Sequence, residues 1–111
     1  MKKSTRDFLL NLENKTTIRF DWSNLKPTDK YVQQNNQAAE SDTLLMKNKN
    51  LIVIVVSCGC KTCKEVIGLI IFYGLGESHL IDAETVMNQI KIVAPKIPIE
   101  LYNLFDLKSI G

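Results

Sequence analysis

Three cysteines fall within six positions of a chain that has no others: Cys58, Cys60 and Cys63, spaced C-x-C-x-x-C. Thiolates at C-x-x-C spacing can chelate one tetrahedral zinc ion, and Cys58 could supply a third sulfur. The single histidine, His79, is the one side chain of its type that could complete the set as a fourth ligand. A second C-x-x-C, which would mark a zinc ribbon, is missing. The same residues suit thiol redox work, with Cys60 as attacking thiolate, Cys63 as resolving thiol, and Lys61 and Lys64 favouring the anion electrostatically. Against both stands the plainer reading that small, weakly polar Cys and Gly suit a tight connection between strands. The cofactor expectation is therefore none, or a single zinc ion.

The elements that must position these thiols flank them directly. Leu51 to Val56 reads LIVIVV, six apolar residues of which five are β-branched, the continuous pattern of a strand covered on both faces. Val66 to Tyr73 reads VIGLIIFY, where β-branched and aromatic residues and Gly68 favour a second strand over a helix. On this reading the cysteines sit on a hairpin connection.

The competing reading makes that second run a helix. A strand entering Cys60-Lys61-Thr62-Cys63 and then a helix resembles, over about twenty residues, the redox corner of the thioredoxin-like fold. Ile97-Pro98 is similar to the proline-led strand facing that motif. The resemblance implies an α/β fold and thiol-disulfide oxidoreductase activity through Cys60 and Cys63.

Along the rest of the chain, Ser4 with Asp7 three residues on forms a capping pattern for a helix over 4–13, with Phe8, Leu9 and Leu12 on its apolar face. Residues 16–22 alternate, Ile18, Phe20 and Trp22 against Thr17, Arg19 and Asp21, which predicts a half-buried strand. Ser23 to Asp29 reads as a turn, and the polar, Gln- and Asn-rich residues 30–42 as an exposed helix or loop. A strand over 43–47 leads through Asn48-Lys49-Asn50, a tight turn in which Asn tolerates positive φ, into a strand over 51–57. The fourth strand spans 64–73. Asp82 reads as the N-cap of a helix over 82–94, with Val86, Ile90 and Val93 on one face. The tail is ambiguous: helix over 98–109 with Pro98 in its first turn, or a strand in which Ile99, Leu101, Phe105 and Leu107 alternate with polar residues; the helix is preferred. The expected fold is thus α+β, one domain over residues 1–111, with a small, mostly antiparallel sheet of about four strands flanked by two or three helices.

Composition narrows the function. A net charge of +2, split +3 over residues 1–50 and −1 over 51–111, forms no basic stripe and argues against nucleic acid. No signal peptide pattern is visible, and the charged Lys61, Lys64 and Glu65 divide the apolar runs well below the roughly 20 residues that a bilayer demands. Gly74-Leu75-Gly76 lacks the third glycine of a dinucleotide loop. Cys, His79 and Asp82 exist as hydrolase components, but nothing in the sequence brings them together. The expectation is a small cytoplasmic protein-binding module of the inhibitor, immunity-type or adaptor kind, with thiol-disulfide oxidoreductase activity as the form catalysis would take if the chain is an enzyme. Its partner is another protein, with no nucleic acid and no membrane, and its cysteine loop is structural or metal-holding. Residues 30–42 and the tail 97–110 are candidate contact surfaces.

Overall fold

The computed structural model describes residues 3–27, 39–58, 65–74 and 76–103. Two helices, α1 (Lys3–Lys15) and α2 (Glu77–Val93), and five strands, β1 (Phe20–Pro27), β2 (Ala39–Met46), β3 (Leu51–Cys58), β4 (Val66–Tyr73) and β5 (Ile99–Asn103), follow one another as α1-β1-β2-β3-β4-α2-β5. The strands form one mixed sheet in sequential order. β1 to β4 are antiparallel neighbours, and β5 lies parallel to β4. The class is α+β, with one strand more than the sequence predicts.

Val66–Tyr73 is therefore a strand, paired from Leu51↔Tyr73 to Ser57↔Val66 against β3. This overturns the helix that the thioredoxin-like resemblance implies. The physical reason is local and tertiary at once: a run rich in β-branched and aromatic residues meets an equally apolar strand along its whole length.

Strand alternation sorts the sheet into two faces. Leu44, Met46, Leu51, Val53, Val55, Leu69 and Ile71 meet Leu9 and Leu12 of α1 and Ala83, Val86 and Ile90 of α2, so both helices share one face. On the opposite face Ile52 pairs with Phe72, and Phe72 in turn with Tyr102, whose ring centroid lies 5.8 Å away.

The tail is the clearest departure from expectation. In place of a helix over 98–109, residues 99–103 form β5, while 104–109 lie outside the described residues. Ile99 and Leu101 turn toward the core and Glu100 is exposed. The geometry of α2 explains why. Its 17 residues span about 25 Å at 1.5 Å per residue, close to the length of β4, so the chain returns to where β4 begins. There the Leu69 N–H donates to the Pro98 carbonyl at 2.9 Å, starting a parallel pairing that the unpaired edge of β4 offers. Tertiary pairing outweighs the helical pattern.

α2 also begins five residues before the predicted N-cap. Gly76, at φ 118° in a conformation that L residues rarely adopt, ends the preceding segment, and Glu77 occupies the first turn where a carboxylate meets the positive helix end. Asp82 is consequently mid-helix, where it forms an exposed ion pair with Lys49 at 3.4 Å. Such a pair contributes at most about 1 kcal/mol.

Both outer boundaries of the β1–β2 hairpin shift as well. Thr16 Oγ1 donates to the Leu12 carbonyl at 2.6 Å and accepts from the Ile18 N–H at 3.0 Å, which closes α1 and delays β1 to Phe20. Residues 23–27 of the turn expected at 23–29 belong instead to β1, whose register shifts between Asp21 and Lys26, and residues 28 and 29 lie outside the described residues. β2 starts at Ala39 rather than 43, because β3 offers a partner as far as Cys58. Ser41 and Asp42, polar residues of the segment expected to be exposed, are buried; residues 28–38 lie outside the described residues.

The β2–β3 turn agrees with its sequence. Asn48 has φ 63°, the left-handed region that Asn enters more readily than other side-chain-bearing residues. Asn48→Val should lower stability by roughly 1–2 kcal/mol, while Asn48→Gly should leave it unchanged or slightly raised. Urea unfolding followed by far-UV circular dichroism checks both; equal midpoints for the two variants would show that this turn does not constrain the hairpin.

Candidate functional site

The β3–β4 pairing places Cys58 at one end of the sheet. Cys58 is the last residue of β3, half-buried, and its N–H donates to the Glu65 carbonyl at 3.1 Å. That bond closes the two strands around the connection. Cys60 and Cys63, with Lys61 and Lys64, lie outside the described residues. Among the described residues no three His, Cys, Asp or Glu side chains come together as a metal site.

His79 is at the other end of the hairpin. It stands beside Asn50, whose Nδ2 is 3.2 Å from His79 Nε2, and beside Gly74, where an added β-carbon would lie only 2.7 Å from Nδ1. Asn50 precedes β3 and Gly74 follows β4, whereas Cys58 is the eighth residue of β3. At about 3.4 Å per residue the separation is on the order of 20 Å, far outside shared coordination of one ion. The structure thus brings His79 together with the β2–β3 turn and the start of α2, and not with Cys58. Its packing role is concrete: the imidazole wedges α2 against the ends of β3 and β4, and Gly74 leaves the space for it. Asp82, four residues before Val86 on α2, is likewise held at this end by Lys49. A Cys–His–Asp nucleophilic arrangement built on Cys58 is ruled out by the same distance.

Two open grooves flank these opposite ends. One, about 620 Å³, runs along the β2–β3 turn and is lined by Asp21, Lys47, Lys49, Asn50, Gly74 and His79. Two of its charged residues have partners within the chain. Lys49 pairs with Asp82, and Asp21 accepts from Ser23 Oγ at 2.5 Å, Asn24 Nδ2 at 2.5 Å and the Ser23 N–H at 3.2 Å. The Ser23 side chain first, then that of Asn24, holds the Asp21 carboxyl below the ordinary carboxylate range. Any stability this provides is present above the unfolded-state pKa and is lost as pH falls through the lowered folded-state value.

The second groove, about 660 Å³, lies at the cysteine end. Asp7 and Phe8 come from α1, Glu65 and Ile67 from the start of β4, and Lys96 and Ile97 from the turn before β5. Of these, only Ile97 belongs to a stretch singled out from sequence, the tail 97–110 offered as a contact surface. Three separate segments build the groove, and only Ile67, exposed to 45% within an otherwise apolar strand, carries a signal of its own.

No protein family model, curated protein or solved structure matches this chain. No described helix is long and apolar enough to cross a membrane.

Proposed function

We propose that this chain is a non-enzymatic protein-binding module of the inhibitor, immunity-type or adaptor kind, acting in a reducing, cytoplasmic setting. Its C-x-C-x-x-C connection is a structural or metal-holding hairpin tip. The observation that carries the reading is the antiparallel β3–β4 pairing from Leu51 to Ser57, with one register shift between Val56 and Ser57. A redox C-x-x-C draws part of its thiolate stabilisation from the N-terminus of the helix that follows it. Here a strand follows instead, and its backbone dipoles alternate and largely cancel. The tip is anchored by two eight-residue strands and by the Cys58–Glu65 bond, a rigid base for a recognition surface. If the tip holds zinc, its fourth ligand comes from water or another side chain, since His79 is too distant to share an ion with Cys58.

Three measurements on the full chain test this. In an insulin-reduction assay the protein should show no turnover above that of Cys60→Ser; turnover lost in that variant would establish an oxidoreductase. Metal analysis with thiol titration separates the two forms of the tip, one zinc with blocked thiols or three free thiols without metal. Capture of a partner from the native cell, with the complex reconstituted from purified components, supplies the binding function. A chain that captures nothing at native expression levels removes the module reading.

A further inference from the structure

We draw no further inference here: the strongest candidate, the apolar, helix-free face of the sheet around Ile52, Ile54, Ile70 and Phe72, carries nothing because no described residue shows what covers it.

Discussion

Phe20→Ala lowers the stability of the folded chain by about 3–5 kcal/mol, the range for emptying a buried aromatic site. Phe20 is 1% exposed and stands at the junction of three elements. It pairs with Met46 of β2, its ring meets Trp22 edge-on at 6.2 Å, and its N–H donates to Glu13 Oε2 at 2.8 Å. The same carboxylate accepts from Trp22 Nε1 at 3.2 Å, so one acidic residue near the end of α1 ties that helix to the edge of the sheet. Truncation leaves a cavity beneath this tie and removes the face on which Trp22 packs. Since domains of this kind are stable by about 5–15 kcal/mol in total, the loss is a large share of the whole. Urea unfolding followed by the fluorescence of the single tryptophan measures it. Phe20→Leu, which refills much of the volume, should lose substantially less. A loss under about 1 kcal/mol for Phe20→Ala would mean that α1 and β1 do not share the core with the other strands.

Val55→Asp has a larger effect: the chain does not fold at neutral pH. Val55 is fully buried at the middle of β3, the central strand, with β2 on one side and β4 on the other. Its cross-strand partners are Asp42 and Leu69. A carboxylate at position 55 is thus removed from water and set directly opposite a second, already buried carboxylate, on the helix-covered face. Burial of an uncompensated charge costs several kcal/mol, and the like-charge pair adds to it. The sum matches or exceeds the stability available. Val55→Ala, which removes only two methyl groups, should cost about 2 kcal/mol and leave a folded protein. Far-UV circular dichroism and amide dispersion in NMR spectra distinguish the outcomes, and a folded Val55→Asp chain at pH 7 would show that β3 is not the centre of the sheet. Lowering the pH should partly rescue the variant, because the inserted carboxyl carries a raised folded-state requirement for its proton.

The expectation of a hairpin around the cysteines rests on residues whose preferences are local. In Leu51 to Val56 the β-branched side chains favour extended backbone by themselves, and the unbroken apolar pattern already implies cover on both faces. Asn48 is a similar case: its tolerance of positive φ belongs to the residue, and the turn uses it. The N-terminal helix also follows from spacing alone, with Leu9 and Leu12 buried as their periodicity requires.

Other features depend on groups far apart in the chain. Ile99 to Asn103 carries a pattern that suits strand or helix, and the free edge of β4, reached because α2 matches it in length, decides between them. Residues 39–42 are too polar to announce a strand, yet they pair because β3 runs the full distance beside them. His79 and the cysteines look available to one another in sequence, only 21 positions apart at most. The hairpin sends the chain out and back, so Cys58 and His79 end up at opposite ends of the sheet. The cysteine-end groove is assembled from residues 7–8, 65–67 and 96–97, whose neighbourhood exists only once the fold has closed. Sequence by itself determined that LIVIVV and VIGLIIFY extend, that the N-terminal segment coils and where the thiols concentrate, because those depend on side-chain shape and spacing over a few residues. Tertiary structure alone decided which ends meet, since that depends on strand length, crossover length and which edge is left to pair.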